Sequence, residues 1–276
     1  MAENGLLRLR VAPEVELNVR QFGSGPPLIL LHGFTGDSST LADLAVQLRD
    51  DATLVVPDLV GHGLSSAPAN EADYSVDHMV SHVVAIGEQL VGDSFHLVGY
   101  SMGGRVALTL ACRHPELLRS LTVIGASAGL ANESERAARR AADHDLAARI
   151  EREGLARFVD TWMANPLFAT QARLGAEFLE HARAQRLGNS VRALACSLRA
   201  AGSGAMAPLH AGLAECVVPT VLVVGAQDPK FLRIASELVP LMPRAKLNRI
   251  EDAGHAAHLE QPGAVAAAIR AQLGLC

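Results

Sequence analysis

The sequence predicts an α/β protein, a mostly parallel eight-stranded sheet with helices on both faces, on three observations. Short runs rich in Val, Ile and Leu recur along 276 residues, helical stretches alternate with them, and the alternation is interrupted once by a long segment with helical spacing only. The strand candidates in order are LLRLRV (6–11), VELNVRQF (15–22), PLILLHG (27–33), TLVVPD (53–58), FHLVG (95–99), LTVIGA (121–126), TVLVVGAQD (220–228) and AKLNRI (245–250). The inner runs are apolar at consecutive positions, as strands covered on both sides must be, and the first two pair as an edge hairpin. Helices are expected at about 39–49, 75–91, 102–113, 231–240 and 262–272, the last opening on Pro262 in its first turn.

After Ala126 the pattern changes. From Asn132 to about Ala201 the chain is rich in Ala, Arg and Glu, and TVLVVG then resumes the sheet. Residues 128–212 therefore read as a helical cap inserted between strands six and seven, with SAGLAN and AAGSGAMAPL as its turn-like limits. The flanking parts of the core are 1–127 and 213–276.

Composition narrows the function classes. A formal net charge of −5 lacks the clustered basic excess of a nucleic-acid-binding surface. No apolar run is long enough for a membrane span, and the N-terminal stretch lacks a basic region followed by an apolar one, so a cytoplasmic protein without nucleic-acid or membrane partners is expected. Cys112, Cys196, Cys216 and Cys276 are scattered without metal-ligand spacing, and neither a disulfide framework, a metal nor an organic cofactor is indicated.

The stretch VGYSMGGR (98–105) carries the chemistry. Gly99-Tyr100-Ser101-Met102-Gly103 lies between a strand and a helix, so Ser101 falls on a tight turn that exposes its hydroxyl at the positive end of a helix. A serine hydroxyl reacts at neutral pH only when a histidine takes its proton and a carboxylate orients the histidine. Among the 11 histidines, His255 follows the last strand and lies at the sheet edge where Ser101 emerges; His258 is its only near competitor. Asp228, directly after strand seven, is the acid, whereas Asp252 is too close in sequence to His255 to reach its far nitrogen. The order Ser101, Asp228, His255 fits the Ser, Asp, His order of a strand-to-helix nucleophile. Charge on a reacting carbonyl oxygen needs preorganised donors, for which the backbone N–H groups of Met102 and Phe34 are placed, Gly33 letting the chain bend beside the latter. His32 reads as a brace for that loop, and DLVGHGLS (58–65) as a structural turn.

With these residues in order, the chain resembles the α/β-hydrolase superfamily over essentially its whole length. A narrower resemblance, carried by LHGFTGDSS, GYSMGGRVAL, ERAARRAADHDLA, FVDTWMANPLFA, RAQRLGN, QDPKF and AGHAAHLEQP, is to the 2-succinyl-6-hydroxy-2,4-cyclohexadiene-1-carboxylate synthases of menaquinone biosynthesis. That resemblance implies elimination of pyruvate from 2-succinyl-5-enolpyruvyl-6-hydroxy-3-cyclohexene-1-carboxylate, a small polycarboxylate, with the triad as base. It also implies carboxylate-binding roles for Arg105, Arg139 and Arg186 and pocket positions for Tyr100, Trp162 and Lys230. Arg136 and Arg140 stand close enough to Arg139 that any of the three can face the pocket. The chain has TLADL after TGDSS, where the family often carries an aromatic residue, and GSGAMAPL only approximates the corresponding family segment.

Independently of the family, several arginines gathered near a serine call for an anionic ligand, because like charges repel and carboxylates bind arginine in a bidentate manner. The same triad could serve a carboxylesterase or a carbon–carbon bond hydrolase, and the scaffold could carry a non-catalytic ligand-binding protein.

Overall fold

The computed structural model describes residues 5–274. Eight strands form one sheet in the order β1-β2-β4-β3-β5-β6-β7-β8. They are β1 (Gly5–Ala12), β2 (Val15–Gly23), β3 (Pro27–Leu31), β4 (Thr53–Pro57), β5 (Phe95–Tyr100), β6 (Leu118–Ile124), β7 (Thr220–Gly225) and β8 (Ala245–Ile250). The β1–β2 hairpin is antiparallel, β2 joins β4 antiparallel, and every pair from β4 to β8 is parallel. Parallel neighbours need crossovers, and the helices that supply them cover both faces, which is why β3, β5 and β7 are buried almost throughout.

Two apolar layers sandwich the sheet. On one face α2 (Val76–Ile86) and α3 (Met102–Arg113) pack Val83, Ile86, Val106 and Leu110 against Ile29, Leu97 and Val123. On the other, α1 (Ala42–Leu48) and α10 (Pro262–Leu273) pack Leu44, Leu48, Val265 and Ile269 against Leu28, Leu30, Val98 and Val223.

Between β6 and β7 the chain forms α4 (Glu133–Glu153), α5 (Leu155–Met163), a 3-10 stretch (Pro166–Leu174), α6 (Ala176–Leu187) and α7 (Val191–Ala201). Local chemistry sets their starts: the Asn132 side chain accepts from the Ser134 and Glu135 N–H groups, and Ser190 accepts from Ala193. These helices share their own small core around Ile150, Phe158, Leu194 and Leu198. Among the described residues no helix is long and apolar enough to cross a membrane.

Several boundaries differ from the sequence expectation. Strand β6 ends at Ile124 because Gly125 takes φ +57. The helix expected over 75–91 becomes α2 followed by a π-helical turn, Gly87–Val91; a Cβ at Gly87 would stand 2.7 Å from the Phe95 ring. After β7, helix α8 (Pro229–Leu238) starts two residues before the expected position, with Asp228 as its N-cap and Pro229 in the first turn, and a short α9 (Ala257–Glu260) precedes α10. Cys276 lies outside the described residues.

Candidate active site

Ser101 occupies the turn between β5 and α3 with φ 50 and ψ −103, a strained pair for a residue with a side chain. Glycines make room for it. A Cβ at Gly99 would collide with the Gly103 carbonyl, and one at Gly103 would stand 2.5 Å from the Leu31 carbonyl oxygen and 2.6 Å from that of His32. The glycines at −2 and +2 therefore serve clearance between β5, α3 and the end of β3.

His255 follows β8 and lies buried. Its Nε2 stands 3.2 Å from Ser101 Oγ and its Nδ1 2.9 Å from Asp228 Oδ2. An ionised carboxylate only accepts, so Nδ1 carries the proton and the Nε2 lone pair faces the hydroxyl. The other carboxylate oxygen, Asp228 Oδ1, accepts from the Phe231 N–H at 3.1 Å, so one side chain caps α8 and orients the imidazole. The His255 loop is pinned from below by Glu260, which accepts from the Gly254 N–H, Thr170 Oγ1 and Arg173 Nη2, each at 3.0 Å. Asp252 is exposed and makes no contact with the imidazole.

Among the described residues, neither the Phe34 nor the Met102 N–H donates to a protein acceptor. Met102 opens α3, so its N–H has no partner within the helix. The loop before it is built differently from the sequence expectation. Gly33 does not supply the bend; a Cβ there would stand 2.7 Å from the Tyr100 ring, and the positive φ, 67, belongs to Thr35. His32 does brace the loop, with Nδ1 donating to the Gly33 carbonyl at 2.8 Å and Nε2 accepting from the Leu59 N–H at 2.9 Å. In DLVGHGLS the buried Asp58 binds Ser38 N–H at 2.7 Å, Asn18 Nδ2 at 2.8 Å and Leu64 N–H at 3.0 Å. Burial alone would raise its pKa, but the Leu64 and Ser38 N–H groups outweigh it and hold the carboxyl below its ordinary value.

A cavity of about 540 Å³ opens between sheet edge and cap, lined by Ser101, His255, Phe34, Met102, Tyr100, Arg105, Arg139, Trp162 and Lys230. Arg105 is one turn beyond Ser101 and donates to the Ala201 carbonyl at the end of α7. Burial, and then the charge of Arg139, pushes its guanidinium down to about 10, still charged at neutral pH. Among the described residues Arg105 and Lys230 form no ion pair. Arg139 is the member of its trio that reaches the wall, its Nε bound to both oxygens of Asp143 at 2.9 Å. Arg136 and Arg140 are both tied to Glu133 instead.

Arg186 is not brought to that wall. It is buried, its Nη1 donates to the Ala182 carbonyl at 2.8 Å, and its Nε has no partner. Trp162 meets Phe34 edge to face at 5.3 Å, with its indole N–H also unpartnered. Burial drives the Tyr100 phenol far above its ordinary range, so it stays protonated. His210, which no motif singled out, lines the cavity together with Glu135. It arrives because the segment after α7 folds back, the Leu209 N–H donating to the Ala128 carbonyl at 2.9 Å, a tertiary contact with no local sequence signal.

A family profile described as the alpha/beta hydrolase fold matches residues 26–262. The chain belongs to the α/β-hydrolase family. Among curated members of this family, the 2-succinyl-6-hydroxy-2,4-cyclohexadiene-1-carboxylate synthase of Enterobacter sp. (strain 638) is 37% identical over 88% of this chain and 90% of its own. The protein of that name from Citrobacter koseri (strain ATCC BAA-895 / CDC 4225-83 / SGSC4696) is 35% identical over 91% of this chain and 94% of its own. Among solved α/β-hydrolase structures, MenH from S. aureus is 31% identical, with a TM-score of 0.88 covering 94% of this chain and 97% of that one.

Proposed function

We propose that this α/β-hydrolase is a 2-succinyl-6-hydroxy-2,4-cyclohexadiene-1-carboxylate synthase, eliminating pyruvate from 2-succinyl-5-enolpyruvyl-6-hydroxy-3-cyclohexene-1-carboxylate. The observation that carries the reading is the juxtaposition, in one cavity, of a Ser101–His255–Asp228 array with Arg105, a half-buried guanidinium that forms no ion pair among the described residues. A cation so placed costs desolvation energy that a ligand carboxylate would offset, which favours a polyanion over a neutral ester. The synthase names of the relatives point to the same substrate class.

In this reading Ser101 Oγ, its proton passing to His255 Nε2, removes the ring hydrogen next to the succinyl ketone. The carbon–hydrogen electron pair moves onto the ketone oxygen, and the Phe34 and Met102 N–H groups donate to the resulting enolate. The enolate re-forms the ketone, the ring double bond shifts, and the carbon–oxygen bond to the enolpyruvyl group breaks. Enolpyruvate takes up a proton to become pyruvate, so the proton removed from the ring is balanced. No acyl-enzyme is needed. Arg105, Arg139 and Lys230 are assigned to the substrate carboxylates, with Tyr100 and Trp162 shaping the apolar wall. Arg186 is assigned a supporting place near Tyr100, whose phenol senses its charge. Residues 128–212 act as the cap that brings Arg139 and Trp162 over the triad.

The test supplies the enolpyruvyl substrate, generated enzymatically, and follows pyruvate with a coupled lactate dehydrogenase assay. Pyruvate release well above the spontaneous elimination is expected; a rate equal to the uncatalysed one would remove the assignment.

A further inference from the structure

The Phe34 N–H sits in a turn that the core does not hold by itself. Residues Gly33 to Gly36 form a tight turn closed by the Gly36 N–H donating to the Gly33 carbonyl at 3.1 Å. Its third residue, Thr35, takes φ 67, a conformation unfavourable for a β-branched residue and normally left to glycine or asparagine. The Thr35 side chain does nothing to stabilise this, since its buried Oγ1 has no partner. His32 braces the Gly33 carbonyl from the core, and what holds the Thr35 end of the turn comes from the cap. The Thr35 carbonyl accepts from two amides, Gln185 Nε2 at 3.1 Å and Asn189 Nδ2 at 3.0 Å, at and just beyond the end of α6. Both amides are braced in turn. Gln185 Nε2 also donates to Asp37 Oδ2 at 3.0 Å, and Asn189 Nδ2 to the Arg186 carbonyl at 3.1 Å.

We propose that Gln185 and Asn189 are positioning residues for the Phe34 oxyanion donor, so that the oxyanion site is assembled jointly by core and cap. Two donors converging on one carbonyl fix the orientation of its peptide group, and in a four-residue turn that orientation constrains the adjoining ones. Without them Thr35 can relax toward negative φ, turning the neighbouring peptide groups, and the Phe34 N–H loses its aim. The inference rests on the proposed role of Phe34, but applies to any reaction that develops charge at this oxygen site.

The test compares Gln185→Ala, Asn189→Ala, the double variant and Gln185→Lys in the full chain. Lysine is the informative replacement. Gln185 Oε1 is buried without a partner, so only its donors matter, and an ammonium can supply them to the Thr35 carbonyl and Asp37. For pyruvate release the double variant should lose about 10- to 100-fold in kcat with KM within about threefold, less than the loss for deleting an oxyanion donor outright, and Gln185→Lys should stay near wild type. Hydrolysis of p-nitrophenyl acetate should fall in parallel. The Phe34 amide cross-peak should move in the alanine variants and return in Gln185→Lys; this readout requires neither activity. Glu180→Ala, exposed on the same helix, should change none of these. A raised KM at constant kcat would mean the two amides merely anchor the cap, and an unmoved Phe34 amide would overturn the proposal. Absence of pyruvate release from the wild type would instead count against the synthase assignment, leaving the ester and amide readouts to decide this one.

Discussion

Arg105 and Ser101 are joined through the first turn of α3: the Arg105 N–H donates to the Ser101 carbonyl at 3.1 Å, and both side chains line one cavity. The helix thus fixes the spacing between a cation and the hydroxyl without any flexible linkage. Arg105→Ala should lower kcat/KM for the polycarboxylate by about 10- to 1000-fold, the scale of a charge-assisted hydrogen bond, while hydrolysis of a neutral ester changes little. Arg105→Lys should recover only part of the loss, because an ammonium keeps the charge but not the planar fork. Equal losses on both substrates would assign Arg105 to its other contact, the Ala201 carbonyl at the end of α7.

Asp228 performs two tasks that one substitution can separate. Asn is as good an N-cap as Asp, so Asp228→Asn should keep the bond from the Phe231 N–H and leave the melting temperature within a degree or two. It removes the charge that holds the proton on His255 Nδ1, and the imidazole can then present N–H rather than a lone pair to Ser101. Pyruvate release should fall by about 10² to 10⁴, the range of general acid–base catalysis. A variant as active as the wild type would mean the array is not the base.

The glycines of the Ser101 turn can be tested by steric contrast. Gly103→Ala pushes a methyl group toward the Leu31 and His32 carbonyls, backbone that cannot give way cheaply, and should cost about 1–3 kcal/mol. At about 2–4 °C per kcal/mol for a chain of this size, calorimetry resolves such a loss. Gly263→Ala, with nothing within 4 Å in the first turn of α10, should be neutral or slightly stabilising. Equal melting temperatures for the two variants would remove the clearance argument.

Much of this site was legible in the sequence because its signals are local. Apolar runs mark the strands, the glycines around Ser101 mark the turn, and Asp228 and His255 stand in the connections after β7 and β8. The cap is harder to read, because its polar surface gives helices without saying which side faces inward. In RAQRLGN Arg186 turned away from the cavity wall while its neighbours Gln185 and Asn189 reached the Thr35 carbonyl. Among Arg136, Arg139 and Arg140, spacing within one turn could not choose; the placement of Glu133 and Asp143 does. At Gly33 the residue type was informative but the reason was not conformational, since the constraint is the Tyr100 ring.

The buried histidines should make the fold lose stability in acid. Burial lowers the pKa of His62 and His258 to about 3 and of His82 and His96 to about 4, and it also lowers His32. Each must stay neutral in the folded chain but binds a proton near pH 6.5 once unfolded. The unfolded state therefore holds more protons below that pH, so stability present above about 6.5 is lost as pH falls toward 4. The urea midpoint should drop between pH 7 and 5, each fully differential histidine contributing a slope of about 1.4 kcal/mol per pH unit. His258 is the sharpest case, with both ring nitrogens buried and unpartnered and its ring centroid 4.2 Å from that of Tyr100. His258→Phe, similar in shape and free of a titrating group, should flatten the slope by one proton and raise the midpoint most at pH 5. A midpoint that does not change between pH 7 and 5, or a variant slope equal to that of the wild type, would mean these imidazoles are not what limits the fold in acid.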